Sequence, residues 1–292
     1  MVPMNKMILH TPMRFTIGRY RLIFLFFAAV VLSGTGCKKN SSIDLKPSLN
    51  SANDNVIVHR TFIYVFDMIL RASLDSALQV NHYAVIDSAS ISFNPAAKTY
   101  AFQYQGSACK DSVIRSGTFV MKLDTGFFVT GAIASVRFIN YFEDGRWVKA
   151  IDTIRNMGIT TGGKINFQSS IDSVLITKDS GRVIQWKARL SHLVEPGIIW
   201  SGAGNARVLV EGTGSGVSSK GFRFTSAFTK QANDDLNCPW MHDGTILLST
   251  PGAQITTGAI RFIPQPACND SVFYDFDGMV YNWRIERDHL SE

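Results

Sequence analysis

Residues 90–123 read SISFNPAAKTYAFQYQGSACKDSVIRSGTFVMKL. Short runs of β-branched and aromatic residues alternate here with turn residues, in the order strand, turn, strand, short loop with Cys109, strand. Antiparallel strands can be joined by such short connections, whereas parallel strands need long crossovers. The stretch therefore predicts a three-stranded antiparallel meander.

The same order of elements returns near the end of the chain. Residues 238–285 read CPWMHDGTILLSTPGAQITTGAIRFIPQPACNDSVFYDFDGMVYNWRI, and both stretches contain the pattern Ala-Cys-x-Asp-Ser-Val. We expect two duplicated β-meanders that form an antiparallel sandwich-like structure or an extended double-layer sheet. Asp111 and Asp270 hold equivalent places in the two copies and are predicted to cap the turn by accepting backbone N–H groups.

The chain between the two copies also alternates short apolar runs with turn residues. Turn pairs such as Asp144-Gly145, Gly162-Gly163 and Asp243-Gly244 separate apolar runs, which is typical of hairpins and predicts about a dozen strands in all. We expect a mainly β protein with a first β lobe over residues 81–195 and a second over residues 196–292. The glycine-rich residues 211–221 are predicted to form a flexible hairpin or a loop between two strands.

One segment has helical periodicity. Large apolar residues follow the spacing i, i+3, i+4, i+7 and i+8 at Phe62, Val65, Phe66, Ile69 and Leu70. This spacing predicts an amphipathic helix over residues 56–80. We expect it to cover an open face or edge of the first lobe, because an uncovered strand edge favours aggregation.

The N-terminus has the features of an export signal. Arg14, Arg19 and Arg21 precede an apolar run over residues 22–32, followed by small residues and Cys37. The run is shorter than the ~20 residues of a spanning helix, so residues 1–36 are predicted to be a cleaved signal peptide. The small residues before Cys37 resemble the lipobox of bacterial lipoproteins, which implies lipidation of Cys37; a plain secreted protein is the alternative. Residues 37–55 then read as the lipidated Cys and a flexible tether.

Charge argues against nucleic acid as a partner. Four of the 29 basic residues lie in the signal peptide and no acidic one does, which leaves 25 basic against 23 acidic residues, a net charge of +2. A nucleic-acid-binding domain is expected to be much more basic. The sequence also has no Cys-x-x-Cys, His-Glu-x-x-His or Gly-x-Ser-x-Gly motif, and we predict no cofactor, no metal site and no catalytic residue.

Three further segments read YAFQYQGSACKDSVIRSG, RFINYFEDGRWVKAIDTIRNMG and EGTGSGVSSKGFRFTSAFTKQANDDLNC. Together they resemble a family of Bacteroidota lipoproteins of unknown function. The resemblance implies a lipid-anchored envelope protein and no particular activity. It also implies a disulfide between Cys238 and Cys268, which an oxidising envelope favours. In the first copy Ser88 and Ala89 stand near the place of the partner cysteine, so Cys109 is expected to be a free thiol.

Three functions remain open on this basis. The first is a non-catalytic binding or structural lipoprotein of the outer membrane, in contact with an envelope component or protein. The second is a carbohydrate-binding module, for which Trp147 and Trp240 are the tryptophans predicted to be exposed as a ligand platform. The third is an envelope hydrolase of unrecognised type. Lys38 and Lys39 directly follow Cys37 and favour the periplasmic face of the outer membrane over the cell surface.

Overall fold

The computed structural model describes residues 44–177, 181–195, 207–235, 238, 240–263 and 269–284. The described residues all fall in one compact unit that begins at Asp44. The predicted signal peptide, Cys37, Cys268 and the tether before Asp44 lie outside the described residues. Within the described part, no helix combines the length and the hydropathy needed to cross a membrane.

The described residues form two helices and fifteen strands. The helices are α1 (Lys46–Leu74) and α2 (Ser76–Asn81). The strands are β1 (Tyr83–Ile86), β2 (Ala89–Asn94), β3 (Thr99–Ala108), β4 (Ile114–Leu123), β5 (Ile133–Glu143), β6 (Arg146–Ile159), β7 (Ile165–Thr177), β8 (Val183–Val194), β9 (Arg207–Val217), β10 (Arg223–Lys230), β11 (Ala232–Asp235), β12 (Thr245–Ser249), β13 (Thr257–Phe262), β14 (Ser271–Phe276) and β15 (Met279–Arg284).

All fifteen strands belong to one open antiparallel sheet. Each strand from β1 to β9 pairs with the next strand in sequence, β10 pairs with β12, and the order continues to β15, while β11 pairs with β9. The prediction of a mainly antiparallel β protein is confirmed, whereas the sandwich of two duplicated meanders stays a prediction. The boundary predicted between the lobes lies between β8 and β9, and these strands pair from Gln185↔Val217 to Val194↔Val208. The two lobes also stay a prediction.

Helix α1 lies inside the curve of the sheet. Phe62 contacts Trp186 of β8 and Phe138 of β5, while Phe66 stacks on His192 of β8. Residues on every side of the helix are buried, from Ser48 to Ala72. The helix was predicted over residues 56–80, covering an open face or edge of the first lobe, and its large apolar residues from Phe62 to Leu70 are buried as predicted. Its predicted start and its amphipathic character were wrong, because it begins at Lys46 and is buried on every side. An enclosed helix needs no polar face.

The polar first half of α1 explains why the helix starts ten residues earlier than predicted. Its side chains find hydrogen-bond partners in the far half of the sheet: Ser48 Oγ donates to the carbonyl of Ile255 at 2.7 Å, and Asn55 Nδ2 donates to Ser226 Oγ at 3.0 Å. The amide of Ser219 donates to a carboxylate oxygen of Asp54 at 2.6 Å. Buried polar groups are tolerated when they are hydrogen-bonded, so residues 46–55 are helical and not part of a flexible tether.

Candidate functional site

The glycine-rich stretch lies in the β9–β10 hairpin, which agrees with the hairpin alternative, but its first part is a strand and not a loop. Residues 211–217 belong to β9, and the turn to β10 follows at residues 218–222. Gly214 and Gly216 stand opposite Ala188 and Trp186 of β8. A Cβ atom on Gly214 would lie 2.7 Å from Nε1 of Trp186. The missing side chains let the β9 backbone approach the Trp186 ring closely, as strand glycines often do.

A groove lies on the outer face of the sheet over this strand. It has a volume of about 640 Å³ and is lined by outward residues of β8, β9, β10 and β12. An adjoining groove of about 430 Å³ extends it towards Gln185 and Arg223. Both volumes lie in the usual range of small-molecule sites. Because the β9 backbone lies close to the Trp186 ring, we attribute this depression to the glycines of β9.

The groove is lined by hydroxyl groups and by charged side chains on its rim. Thr213, Ser215, Thr225 and Ser249 supply four hydroxyls, each able to donate and accept a hydrogen bond. Arg189 is paired with Asp172, with 2.7 Å between Nη2 and Oδ1, and both side chains are more than half exposed. Lys187 lines the groove as well. This arrangement suits a ligand rich in oxygen atoms.

The two tryptophans predicted as a ligand platform have different surroundings. Trp147 is 42 % exposed, as predicted, but Trp240 is only 8 % exposed. The prediction that Trp240 is exposed was wrong, because it lies in the hydrophobic core next to Cys238 and Met241. Neither tryptophan lines the groove over β9.

The first copy of the repeated pattern holds a buried ionic cluster. Arg115 donates to both carboxylate oxygens of Asp111 at 2.6 Å and to Glu143 Oε1 at 3.0 Å. Its guanidinium lies 3.4 Å from the ring centroid of Tyr64. Burial alone would raise the pKa of Glu143, but Arg115 and Arg60 together hold it below its usual value. The cluster is fully bonded and closed to solvent, which is typical of a structural role.

Asp111 has the capping role predicted from the sequence. It accepts a hydrogen bond from the Val113 amide at 3.2 Å, two residues ahead, as in an Asx turn. In the part of the chain that the structure describes, no backbone amide donates to Asp270, whose Oδ1 lies 3.7 Å from Nε of Arg284. The capping role of Asp270 stays a prediction.

The cysteines are placed as follows. Cys109 is a free, buried thiol, and burial raises its pKa. A thiol with a raised pKa is a poor nucleophile at neutral pH. Cys238, which lies between β11 and β12 in the chain, is buried. The predicted disulfide of Cys238 with Cys268 stays a prediction, as does the lipidation of Cys37, because Cys268 and Cys37 lie outside the described residues.

A second buried polar group crosses β6, β7 and β8. Ser169 is hydrogen-bonded to the carboxylate of Asp152, and its Oγ lies 3.3 Å from Nε2 of His192. All three side chains are buried. In a catalytic triad the histidine stands between the acid and the hydroxyl, whereas here the hydroxyl stands between the other two. The group is therefore an internal hydrogen-bond row and not a nucleophile site.

Burial also controls the titration of this row. It raises the pKa of Asp152 to about 7, against the opposing effect of the Ser169 hydrogen bond. It lowers the pKa of His192 to about 3, and a nearby His59 adds to this effect. At neutral pH both histidines are thus neutral. Among the described residues, no group of three His, Cys, Asp or Glu side chains could hold a metal ion.

Sequence reasoning missed the groove and the two buried polar groups. The groove residues are ordinary outward residues of four strands, and only the glycine spacing of β9 marks the place. Comparison of the chain with known protein families, with characterised proteins and with solved structures gave no match. The candidate site therefore rests on its own geometry.

Proposed function

We propose that this chain is a non-catalytic, lipid-anchored binding protein on the periplasmic face of a bacterial outer membrane. The hydroxyl-lined groove over β9 carries the proposal, because it is an open concave site with polar groups free to meet a ligand. The buried ionic cluster and the row of Asp152, Ser169 and His192 are closed to solvent, which favours binding over catalysis.

The lipid anchor is proposed from the N-terminal sequence. Basic residues, a short apolar run and small residues before Cys37 are the features that support it, together with the resemblance to the Bacteroidota lipoproteins. Cells that make the protein should attach a labelled fatty acid to it, and replacement of Cys37 by Ser should abolish this labelling. Equal labelling of the Cys37→Ser variant would contradict lipid anchoring at this residue.

The duplicated meander and the disulfide form part of the same proposal. The first Ala-Cys-x-Asp-Ser-Val pattern starts at the last residue of β3 and ends just before β4, and the second ends at Ser271 and Val272, the first two residues of β14. Similar places between successive strands support an internal duplication. In the second copy we propose that Cys238 and Cys268 form a disulfide between the loop before β12 and the β13–β14 connection.

We propose a glycan as one candidate ligand, and the residues that line the groove support this choice. Four hydroxyls beside one exposed apolar side chain, Leu247, match the mixed polar and apolar surface of a sugar ring. The groove has no aromatic platform among its lining residues, so binding would depend on hydrogen bonds. An envelope protein segment rich in polar side chains is the alternative ligand.

A thermal-shift screen tests the proposal. Residues 44–292 would be heated with glycans and with peptidoglycan fragments, and a ligand that binds the folded state raises Tm. A variant with Ser215→Leu and Thr225→Leu fills the groove and should lose the shift, whereas Ser92→Leu, an exposed position on β2, should keep it. A shift that survives in the groove variant, or no shift with any ligand, would contradict the groove as the site for these ligands.

A further inference from the structure

A different surface of the sheet carries charge and apolar groups side by side. Side chains alternate between the interior and solvent along β5 and β6, as expected for strands that cover a core. The outward positions include three exposed basic residues, Arg137, Lys149 and Arg155. They also include three isoleucines that are more than half exposed, Ile139, Ile151 and Ile159. We call these outward residues of β5 and β6 the basic-apolar face.

Strand register mixes the two kinds of side chain across the face. Arg137 stands directly opposite Ile151, and Arg155 stands directly opposite Ile133. Directly opposite residues on one face of an antiparallel pair are close neighbours. Both arginines therefore lie beside an exposed isoleucine, and Lys149 shares the outward side of β6 with Ile151, two positions along the strand. The face has no separate charged and apolar halves.

The basic residues of this face have no ion-pair partner among the described residues. Some basic side chains elsewhere on the surface are paired, as Arg189 is with Asp172 and Arg261 with Asp275. The acidic residues of β5 and β6 are Glu143 and Asp152, and both are buried. The exposed carboxylates on adjoining segments have other partners: Asp172 on β7 pairs with Arg189, and Asp124 accepts a hydrogen bond from the amide of Ile133. The face thus presents an excess of positive charge.

We propose that the basic-apolar face docks onto a lipid bilayer with anionic headgroups. Exposed isoleucines gain from transfer into the apolar boundary of a bilayer, and unpaired Arg and Lys side chains gain from the negative surface. The headgroup region of an anionic bilayer offers both apolar and negatively charged groups to one surface. Trp147 at the start of β6 is exposed beside Lys149, and tryptophan favours the membrane interface.

Charge argues against a second copy of the chain as the occupant. A symmetric dimer would place the same surface on both sides, so unpaired cations would face cations. Like-charge contacts across an interface are costly. The proposal does not depend on the lipid anchor, because the basic-apolar face lies entirely within the described residues.

Vesicle binding of the unlipidated protein tests the proposal. Residues 44–292, which form one compact unit, would be sedimented with vesicles of phosphatidylcholine alone and of phosphatidylcholine with phosphatidylglycerol. We expect binding to the anionic vesicles only, with a strong decrease at high salt. The variant Arg137→Gln/Lys149→Gln/Arg155→Gln should bind on the order of 100-fold more weakly, since each basic group contributes roughly fivefold.

A matched variant distinguishes binding through this face from nonspecific attraction by the net charge of the protein. Lys110→Gln/Arg182→Gln/Lys220→Gln removes the same charge at positions outside the face and should bind anionic vesicles about as well as the parent. Equal weakening by the two triple variants would overturn the proposal in favour of nonspecific attraction. Absence of binding to anionic vesicles would overturn it as well and would direct attention to an acidic protein surface.

Tryptophan quenching gives a second readout that does not depend on the triple variants. Brominated phosphatidylglycerol should quench part of the fluorescence of the bound protein, and Trp147→Phe should remove that quenched part. Both proteins carry Trp200→Phe as well, so that the buried Trp186, Trp240 and Trp283 are the unquenched background. Quenching that persists unchanged in Trp147→Phe would show that another surface contacts the bilayer.

Discussion

The hydroxyl of Ser169 lies 3.3 Å from Nε2 of His192 on the inner side of the sheet. The ring of Phe66 stacks on the imidazole of His192, with 3.8 Å between the ring centroids. The other neighbour of Ser169 is the Asp152 carboxylate. An acid with a raised pKa and a base with a lowered pKa thus share one hydroxyl. Both groups favour their neutral forms, which is what burial in an apolar environment requires.

Asp152→Asn should stabilise the protein at alkaline pH. The pKa of Asp152 is about 7 in the folded state and about 3.9 in an unfolded chain. Between these values the folded state holds the proton and the unfolded state does not, so this residue makes stability fall as pH rises. At pH 8 the variant should increase the free energy of unfolding by up to about 4 kcal/mol, because it removes the buried charge. Near pH 4 this increase should vanish.

Urea denaturation at the two pH values measures this effect. Asp172→Asn is the control, because Asp172 lies on the neighbouring strand β7 and its side chain is exposed. Its replacement should change the free energy of unfolding by less than about 1 kcal/mol. A gain for Asp152→Asn that is equal at pH 4 and pH 8 would rule out titration of Asp152 as the cause.

Arg115 and Arg60 should differ sharply in their importance for stability. Arg115→Met leaves the buried carboxylates of Asp111 and Glu143 without their main hydrogen-bond donor and should cost about 3–5 kcal/mol. The guanidinium nitrogens of Arg60 have no hydrogen-bond partner among the described residues, and Glu143 lies 3.9 Å away. Arg60→Met should therefore cost less than about 1.5 kcal/mol. Equal losses in urea denaturation would contradict this difference.

The thiol content should report the pairing of the cysteines. Residues 44–292 contain Cys109, Cys238 and Cys268. If the last two form a disulfide, a thiol reagent in denaturant should detect one thiol per chain before reduction and three after it. Native protein should react slowly, because Cys109 is buried. The variant Cys109→Ala should give no thiol before reduction, and a value of two would mean that Cys238 and Cys268 are unpaired.

The antiparallel sheet could be predicted from the sequence because its signals are local. Hairpin turns such as Asp144-Gly145, where both residues have positive φ, and alternating apolar residues act within a few positions. The start of helix α1 could not be predicted in this way. Ser48 and Asn55 find their partners 207 and 171 residues later in the chain, and no local pattern contains that information.

The candidate site was hidden for a related reason. The glycine run of β9 reads as a loop, since glycine is unfavourable in strands. Its place in a strand depends on the ring of Trp186, which another strand presents. The basic-apolar face, in contrast, can be read from the alternation of β6 once the inward residues are known. Long-range packing decided what the sequence alone left open.

Gly214→Ala should destabilise the protein and also make the groove shallower. The new Cβ would lie 2.7 Å from Nε1 of Trp186 and 3.1 Å from Oγ of Ser226, which is too close for an ordinary contact. Either the indole or the β9 backbone must move, at a cost of about 1–3 kcal/mol. Gly126→Ala is the matched control, because its Cβ would meet Val129 Cγ2 at 3.4 Å, within ordinary contact distance.

A second replacement tests the cause of this loss. Trp186→Phe removes the pyrrole part of the indole, so the double variant Gly214→Ala/Trp186→Phe should be more stable than the sum of the two single losses predicts. Additive losses in urea denaturation would mean that Gly214 is required for a reason other than contact with Trp186. In that case the depth of the groove would not depend on this contact, and the ligand-induced Tm shift should be unchanged in Gly214→Ala.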